Sequence, residues 1–408
     1  MRKWLVNSLI MIICLVLAAC GGTNSSTTST KNAKEKSSVK NSQGVTDDEI
    51  LIGGWVPQSG PAAQWGILAE VYQSYFNKVN ADGGVNGRKL KYIAIDDEYQ
   101  PSKTVAAAKK LVEQEKVFAI LGTTGTAHNK AVKPYLTQKG IPVVAVASGD
   151  SAFVKPAVKN YFALQTNYDI EARIFSTYAN KELKAKSVGI FYQNDDYGIV
   201  YRDAAVEELN KLGIKVAAQE SYNPTDVDFS AQALSMKKAS PDVVFLFASP
   251  KPAASFLKEF DKIGGSAERM LTYTSADSTM IDLAGADVME GVLSTTWVKS
   301  LKDKDNPLIK EYVDQISKDI PKQDPNSVFM RSAWAYAQVL VEGLKRSGDN
   351  LTWENFIKQM ETLKDWDGSL AYNVTYTSDY RYGQTSVKIS QFKGGELVDI
   401  SDVIKYEP

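Results

Sequence analysis

The chain has 408 residues, a formal net charge of −1 and 44% hydrophobic residues. Because compact domains usually contain roughly 100–200 residues, this length predicts two lobes, and the apolar content is enough to bury both cores. Residues 1–46 contain six of the 47 basic residues and one of the 48 acidic residues, which leaves 41 basic and 47 acidic residues for the remainder. This acidic balance excludes an extended basic surface, so we expect no nucleic acid among the partners.

The N-terminus is typical of a secretory signal peptide, predicted to cover residues 1–19. Arg2 and Lys3 precede the apolar run LVNSLIMIICLVLAAC. This run is too short for a comfortable transmembrane helix, which needs about 20 apolar residues. The stretch LAACGG resembles the bacterial lipobox, and the resemblance implies that Cys20 carries a thioether-linked diacylglycerol and becomes the mature N-terminus. We therefore expect an extracytoplasmic lipoprotein anchored to the cell membrane through Cys20, with a simple secreted protein as the alternative.

The segment that follows, residues 20–46, is rich in Ser, Thr, Asn and Lys and has almost no apolar side chain to bury. This composition predicts a flexible tether between the lipid and the folded domain. The other cysteine, Cys14, lies inside the signal peptide, so the predicted folded part contains no cysteine. A disulfide framework and thiolate chemistry are therefore excluded there.

From Ile50 onward, short apolar runs alternate with amphipathic stretches of helical length. The runs ILIGGWV, KLKYIAID, VFAILGT and PVVAVAS predict strands that are buried on both faces. The stretches between them carry apolar residues at three- and four-residue spacing, which predicts helices. Strands and helices that alternate in this way form a parallel sheet with helices on both faces.

The alternation restarts near residue 166 and predicts a second doubly wound lobe. Its strands are predicted in SVGIFYQND, KVAAQESY, DVVFLFAS, MLTYTSA and VLSTTWV. In the C-terminal third, three helical stretches precede GSLAYNVTY and TSVKISQFKGGELVDIS, which we interpret as antiparallel strands with a turn at KGG. The fold class is therefore α/β, with two doubly wound lobes and a chain that crosses between them more than twice.

The loops that follow the predicted strands are rich in small and hydroxylic residues. Ligands of open parallel sheets bind beyond the carboxyl ends of the strands, so two facing lobes predict a ligand cleft between them. Small residues allow backbone N–H groups at helix N-termini to approach a ligand, and the helix dipole favours an anionic group there. The loops are PQSGPAAQW, DDEYQP, GTTGTAH, ASGDS, QNDDYG, ASPKP and TSADST.

Several ordered motifs resemble the leucine/isoleucine/valine-binding family of solute receptors that serve ABC transporters. The motifs are SGPAAQWG, NADGGVNGRKLKYIAIDDEYQPSKTVAAAKKLV, FAILGTTGT, GIPVVAVAS and YQNDDYG, and the resemblance covers nearly the whole chain from about Ile50. It implies the type I periplasmic binding protein fold, with two α/β lobes, three crossovers and a hinged cleft. The implied lobes comprise residues 47–165 with 297–370, and residues 166–296 with 371–408.

The resemblance also implies a function. It predicts a monomeric receptor, without enzymatic activity or cofactor, that captures a small carboxylate-bearing solute by closing its lobes. A branched-chain amino acid is the expected type of solute, and the permease subunits of an ABC importer are the expected partners. An aromatic-acid receptor for benzoate-like or cinnamate-like compounds is an alternative, as is a sensor that reports its ligand without transport.

Two aromatic residues match ligand-contacting positions of the family. Trp65 falls where the loop after the first strand supplies an aromatic wall, and Tyr197 falls where a tyrosine closes over the solute from the second lobe. A large rigid ring packs ligand carbon atoms at little entropic cost. The alternatives are that Trp65 packs at the start of a helix and that Tyr197 packs in the core or at the hinge.

Two loops of the first lobe match positions that bind the ligand carboxylate. The motif GTTGT makes Gly125 and Thr126 candidates, with Thr124 nearby, although Thr126 also suits a helix N-cap. The motif VAS followed by Gly149 matches the next loop of the family, although a plain strand-to-loop turn is the alternative interpretation of these residues. Its backbone candidates are Ala147, Ser148 and Gly149.

The sequence departs from the family pattern at the other end of the ligand. Amino-acid-binding members place a carboxylate opposite the α-ammonium, but Ser275 stands at that position here, and Asp277 substitutes only if the loop shifts by two residues. A second tyrosine of the family is replaced by Ser249. Because a buried ammonium without a carboxylate is costly, these departures favour a ligand other than a standard amino acid.

Enzymatic alternatives have little support in the sequence. His128 is the only histidine, so a Ser-His-Asp arrangement must use it, and no GxSxG motif is present. The carboxylates of residues 96–98 suit a glycosidase or a metal site, but they equally suit a helix cap at the rim of the cleft. No GxxxxGK[ST] phosphate-binding loop is present, so ATP hydrolysis must belong to another subunit.

Overall fold

The structure is a computed structural model that describes residues 41–406. The predicted signal peptide, Cys20 and residues 20–40 of the predicted tether lie outside the described residues. In the part of the chain that the structure describes, no helix is long and apolar enough to cross a membrane. Residues 41–46 do not extend away from the folded domain as a tether. The side-chain amide of Gln43 donates to the carbonyls of Val112 and Val117, and this pairing holds the segment against the domain.

The first sheet contains five parallel strands in the order β2-β1-β3-β4-β5, in agreement with the alternation predicted for the first lobe. Every residue of the short central strands β3 and β4 is buried, which explains their continuous apolar sequence. The strands are β1 (Glu49–Trp55), β2 (Lys89–Ile95), β3 (Ala119–Leu121), β4 (Val143–Val144) and β5 (Tyr161–Phe162). The helices between them are α1 (Ile67–Ala81), α2 (Pro101–Lys109) and α3 (Thr126–Lys139).

The second sheet is larger and mixed. Its parallel part contains β6 (Ser187–Gln193), β7 (Lys215–Tyr222), β8 (Val243–Phe247), β9 (Glu268–Leu271) and β10 (Leu293–Thr296). Its antiparallel part contains β11 (Ser386–Lys393), β12 (Glu396–Asp399) and β13 (Ile404–Lys405). The order is β12-β11-β10-β9-β8-β6-β7, and β13 also pairs with β11. The helices are α4 (Tyr168–Lys181), α5 (Asp196–Lys211), α6 (Ser230–Ala239), α7 (Pro250–Lys262), α8 (Thr279–Ala284) and α9 (Ala286–Met289).

Three later helices return to the first sheet. They are α10 (Pro307–Asp319), α11 (Val328–Ser347) and α12 (Trp353–Met360). The long helix α11 packs on α1, β3 and β4, and α10 also packs on α1. We call the first sheet with α1–α3 and α10–α12 lobe 1, and the second sheet with α4–α9 lobe 2. The chain thus crosses between the lobes three times, as the resemblance implies, whereas the boundary residues of the lobes stay a prediction.

The last part of the chain confirms one predicted hairpin and corrects one predicted strand. β11 and β12 are antiparallel and are joined at Gly394 and Gly395, as the KGG turn predicts. The stretch GSLAYNVTY forms no strand. It makes only single-residue bridges, such as those from Ala371 to Val298 and from Val374 to Trp366. Its apolar residues are buried along the connection between the lobes, so their burial does not require a pleated ladder.

Candidate ligand-binding site

A cavity lies between the lobes, where the strand-end loops of both sheets meet the N-terminal half of α11. Eight of its sixteen lining residues are aromatic, and none carries a charged side chain. Six of the predicted site residues line it: Trp65, Thr124, Gly125, Thr126, Ala147 and Tyr197. The other lining residues are Leu68, Tyr99, Gln165, Tyr168, Tyr273, Thr274, Trp297, Phe329, Ser332 and Tyr336.

Trp65 forms one wall of the cavity and also joins the lobes. It lies in a short 3-10 turn, Ala63–Gly66, immediately before α1. Its indole ring meets the ring of Tyr99 edge-on, with 5.6 Å between centroids. Its Nε1–H group donates to the carbonyl oxygen of Thr274 in lobe 2 at 3.1 Å. The largest side chain of this loop therefore supplies apolar surface to the cavity and one hydrogen bond across the cleft.

Residues 122–125, which we call the β3 loop, carry an unpaired polar group into the cavity. The hydroxyl Oγ1 of Thr124 is buried and has no hydrogen-bond partner among residues 41–406. Gly125, the N-cap of α3, has a φ of 99°, and a Cβ atom added there would lie 2.4 Å from Nδ1 of His128. Only glycine fits this backbone, which brings the start of α3 to the cavity wall. The first amides of α3 have no acceptor inside the helix, so they are available as donors beside Thr124.

The loop after β4, which contains the predicted residues 147–149, mainly contacts the β3 loop and contributes little to the cavity lining. The amide of Gly125 donates to the carbonyl oxygen of Ala147 at 3.4 Å, so this predicted ligand donor is already paired. Ser148 lies behind the lining, and its hydroxyl is 2.8 Å from the hydroxyl of Thr126. Gly149 also lies outside the lining, where its carbonyl oxygen accepts from the amide of Tyr168 at 2.8 Å. Of this predicted trio, only Ala147 reaches the cavity.

Lobe 2 contributes a cluster of tyrosines. Tyr197 is held at the start of α5 by the carboxylate of Asp195, which accepts from its amide at 3.0 Å. Its hydroxyl lies 2.5 Å from Oγ1 of Thr274, and its ring meets that of Tyr168 edge-on. Burial raises the pKa of Tyr168 to about 12, so its phenol stays neutral at physiological pH. The lobe 2 side of the cavity is therefore aromatic and uncharged.

Three further residues predicted as ligand contacts, all in lobe 2, do not line the cavity, because their polar groups already have protein partners. Ser249 Oγ lies 3.1 Å from the hydroxyl of Tyr222, and Ser275 Oγ donates to the carbonyl oxygen of Ala248 at 2.5 Å. Asp277 is completely buried, and its Oδ2 accepts from Oγ of Ser327 at 2.6 Å and from the amide of Phe329 at 3.2 Å. The structure thus gives no support to Asp277 as the partner of a ligand ammonium.

The residues considered for catalysis lie outside the cavity lining, in contacts that stabilise the surrounding loops. His128 is buried against the ring of Tyr99, and neither ring nitrogen has a side-chain partner among the described residues. Asp96 accepts from Ser59 Oγ at 2.6 Å and from the amide of Gln58 at 3.0 Å. Asp97 accepts from Thr104 Oγ1 at 2.6 Å. These contacts hold the loop after β2 in place, and neither His128 nor the two aspartates line the cavity.

Comparisons with known proteins agree with this architecture. A family model described as periplasmic binding protein matches residues 49–396. The chain belongs to this family. A Leu/Ile/Val-binding protein homologue from Brucella melitensis is 25% identical over 354 residues, which are 86% of this chain and 94% of the relative. A leucine-, isoleucine-, valine-, threonine- and alanine-binding protein from Pseudomonas aeruginosa is 24% identical over 76% of this chain and 81% of its own.

Solved structures of other periplasmic binding proteins share the fold. A branched-chain amino acid ABC transporter protein from Thermus thermophilus, with bound valine, has a TM-score of 0.82 at 19% identity and covers 89% of this chain and 98% of its own. A fatty acid ABC transporter substrate-binding protein from Thermomonospora curvata also has a TM-score of 0.82, at 23% identity over 90% and 95% of the two chains. These similarities confirm the predicted type I fold.

Ten lining residues of this periplasmic binding protein were not predicted from the sequence. The sequence positions of some of them could have indicated the cavity. Tyr99 and Thr274 lie in strand-end loops, and Gln165 and Trp297 lie near the predicted crossovers. The lining residues from α11 have no sequence feature that indicates a position at the cavity. Phe329, Ser332 and Tyr336 share one helical face by their spacing, but the sequence does not indicate that this face meets the cleft.

Proposed function

We propose that this periplasmic binding protein is an extracytoplasmic receptor that captures a small carboxylate with an apolar or aromatic body and delivers it to an ABC importer. The observation that carries the proposal is the combination of an uncharged, aromatic cavity with one unpaired hydroxyl, that of Thr124, beside the start of α3. Such a cavity suits a ligand held without covalent bonds, because no lining residue is a histidine, cysteine or charged residue that could activate a nucleophile. We therefore infer that the protein is not an enzyme.

The β3 loop is the proposed carboxylate site. Thr124 Oγ1 and the first amides of α3 supply donors, and the helix dipole adds to the attraction for an anion. Each charge-assisted hydrogen bond contributes about 1.5–3 kcal/mol. A buried hydroxyl without a partner is unfavourable in the empty cavity, and a ligand carboxylate removes this cost.

The remainder of the cavity suits an apolar body more than an ammonium group. The eight aromatic rings offer surface to ligand carbon atoms, whereas no lining residue is an aspartate or glutamate. The relatives are named for branched-chain amino acids, and the two solved neighbours are named for valine and for a fatty acid. These ligands share a carboxylate and an apolar body. We propose the same two features for the ligand of this chain, without a requirement for an ammonium.

A thermal-shift panel tests the proposal. The compounds are leucine, isoleucine, valine, phenylalanine, benzoates and cinnamates, and mass spectrometry identifies any small molecule that co-purifies. A ligand present at about 100 times its dissociation constant adds roughly 2.7 kcal/mol to the free energy of unfolding. We expect carboxylates without an ammonium to stabilise the protein at least as well as the amino acids.

The outcomes separate the candidate ligand classes. If only the branched-chain amino acids stabilise the protein, the usual specificity of the relatives applies and the uncharged cavity tolerates an ammonium. Stabilisation by benzoates or cinnamates alone supports the aromatic-acid alternative. If no compound shifts the melting temperature and no small molecule co-purifies, the proposed binding site is wrong.

We further propose that ligand capture closes the lobes by rotation about the crossovers near Gln165, Trp297 and Tyr372. Small-angle X-ray scattering measures this directly, because closure reduces the radius of gyration. We expect a smaller radius at saturating ligand. An unchanged radius would contradict hinged closure.

The membrane anchor is a separate proposal. We propose that the mature protein begins at lipidated Cys20 and that residues 1–19 are removed. Metabolic labelling with a fatty-acid analogue should label the wild-type protein and leave Cys20→Ser unlabelled. Label that persists in the variant would contradict this assignment.

A further inference from the structure

We propose that Asp277 is a positioning residue that latches the two lobes together and raises ligand affinity without touching the ligand. The proposal rests on the lobe closure proposed above and goes beyond it, because it identifies the group that holds the closed state. Asp277 lies in lobe 2, in residues 272–278, which we call the β9 loop. Its hydrogen-bond partners lie at the start of α11, on lobe 1.

The geometry at Asp277 is that of a satisfied carboxylate at a helix N-terminus. Oδ2 accepts from Ser327 Oγ at 2.6 Å and from the amide of Phe329 at 3.2 Å, and Oδ1 accepts from the amide of Thr279 at 3.0 Å. Ser327 is the N-cap of α11, and its Oγ also accepts from the amide of Met330. The positive end of the α11 dipole thus faces the negative charge of Asp277. Two of these three hydrogen bonds cross from one lobe to the other.

The β9 loop forms another hydrogen bond to lobe 1, through the backbone of Thr274. Three residues before Asp277, the carbonyl oxygen of Thr274 accepts from Nε1 of Trp65 at 3.1 Å. The cavity lies beside both contacts, because Trp65, Thr274 and Phe329 all line it. When the lobes separate, both sets of bonds must be exchanged for bonds to water. Asp277 and Thr274 therefore provide two adjacent sets of hydrogen bonds that join the lobes at the edge of the cavity.

This arrangement connects the latch to ligand affinity. The apparent affinity is the intrinsic affinity multiplied by the fraction of molecules in the binding-competent state, so a group that favours closure strengthens binding from outside the cavity. The substitution Asp277→Asn removes the charge that faces the α11 dipole while keeping the size of the side chain. We expect about tenfold weaker binding, which corresponds to about 1.4 kcal/mol.

The test combines scattering of the ligand-free protein with ligand titration. The variants are Asp277→Asn, which weakens both bonds from this carboxylate to lobe 1, Ser327→Ala, which removes one of them and leaves the bond from the Phe329 amide, and the double variant. The control is Asp282→Asn, which neutralises an exposed carboxylate on α8. The probe for titration is whichever panel compound stabilises the wild-type protein most. Circular dichroism and thermal melting establish that each variant is folded.

The ligand-free protein exchanges between open and closed lobes, and the Asp277 contact favours the closed form. Asp277→Asn should therefore have a larger ligand-free radius of gyration than the wild type and bind about tenfold more weakly, and Ser327→Ala should change both quantities in the same direction but less. Saturating ligand should still reduce the wild-type radius further. The double variant should resemble Asp277→Asn, because Ser327 acts on the lobes through the Asp277 carboxylate. The control should match the wild type in both measurements. Unchanged radii in the two single variants would overturn the latch.

A second result would also overturn it. If Asp277→Asn abolishes binding while the ligand-free radii of both single variants stay at the wild-type value, Asp277 acts on the ligand directly. The scattering comparison needs no ligand. It therefore tests the latch even if every panel compound fails to bind, which would instead count against the proposed function.

Discussion

The β3 loop of lobe 1 and the β9 loop of lobe 2 each lie beyond the carboxyl end of a parallel strand. They differ in whether a polar side chain of the loop is left without a hydrogen-bond partner in the part of the protein that the structure describes. In the β3 loop, Thr124 Oγ1 is buried without a partner, and the start of α3 faces the cavity. In the β9 loop, the polar side chains of Thr274, Ser275 and Asp277 all have protein partners. In the β3 loop the Thr124 hydroxyl has no protein partner among the described residues, whereas in the β9 loop the side chain of Asp277 pairs with lobe 1.

Position at a strand end therefore does not by itself make a residue a ligand contact. Both loops contain small and hydroxylic residues, and both meet the cleft. What separates them is whether another part of the protein reaches their polar groups first.

The largest effect concerns the carboxylate that anchors the β9 loop. Glu171 on α4 is fully buried and accepts from Thr272 Oγ1 at 2.7 Å and from the amide of Tyr273 at 2.9 Å. Burial raises its pKa from 4.5 to about 7. The folded state therefore holds this proton more tightly than the unfolded state does. Its contribution to stability is complete below about pH 4.5, falls as the pH rises towards 7 and is lost above that value.

We expect Glu171→Gln to remove this pH dependence, which is on the order of 3 kcal/mol at about 1.4 kcal/mol per pKa unit. Urea unfolding of both proteins between pH 4 and pH 8 measures the difference. Glu182→Gln, at an exposed position just after α4, is the control and should keep the wild-type slope. Parallel pH profiles for wild type and Glu171→Gln would show that Glu171 does not couple the loop to pH.

The next effect tests the backbone of the β3 loop. Gly125→Ala forces an L residue into a φ of 99° and places its Cβ 2.4 Å from the His128 ring. Such strain costs about 1–3 kcal/mol, and the start of α3 must shift to relieve the contact. We expect both lower stability in urea unfolding and weaker ligand binding.

Gly140→Ala is the matched control for this substitution. Gly140 follows the other end of α3, where φ is 73° and a Cβ atom would meet nothing within 4 Å. It should lower stability by about 1–2 kcal/mol from the backbone alone and leave binding unchanged. Equal binding by the two variants would mean that the shape of the β3 loop does not set affinity.

Thr124→Val should move stability and affinity in opposite directions. It removes a buried hydroxyl that has no protein partner, so the ligand-free protein should be as stable as the wild type or slightly more stable. Ligand affinity should fall about tenfold, or about 1.4 kcal/mol, in isothermal titration with a panel carboxylate. In Thr126→Val, by contrast, the lost hydroxyl is paired with Ser148, so stability should fall by about 1 kcal/mol. A loss of stability in Thr124→Val with unchanged affinity would contradict the proposed carboxylate site.

The smallest effect concerns the hydrogen bond between Trp65 and Thr274, which joins the lobes. Trp65→Phe keeps an aromatic wall but removes the hydrogen bond from Nε1 to Thr274, so we expect about fivefold weaker binding, or about 1 kcal/mol. The matched control is Trp353→Phe, which removes an Nε1 hydrogen bond to the carbonyl oxygen of Phe118 inside lobe 1. It should lower stability without changing affinity in the same titration. Wild-type affinity in Trp65→Phe would show that this bond does not hold the cleft.

The sequence was most informative where one local property decides the outcome. The buried strands, the KGG turn and the aromatic at position 65 follow from periodicity, glycine chemistry and a recognisable loop. The prediction of GSLAYNVTY as a strand was wrong because an apolar stretch is buried equally well along a crossing between lobes. Gly125 was rightly placed at the cavity wall, but its amide was already paired with Ala147, and adjacency in sequence did not reveal this.

The α/β class, the two lobes, the family and the loops that approach the cleft could all be predicted from the amino-acid sequence, because they depend on patterns within short stretches of chain. Which polar groups in those loops are free depends on contacts between distant parts of the chain, which the sequence pattern does not reveal. Asp277 is the clearest case: it has the chemistry of an ammonium partner, yet its carboxylate is bound by residues 50 and 52 positions later in the chain. The α11 face that lines the cavity was decided in the same way, by packing between elements far apart in sequence.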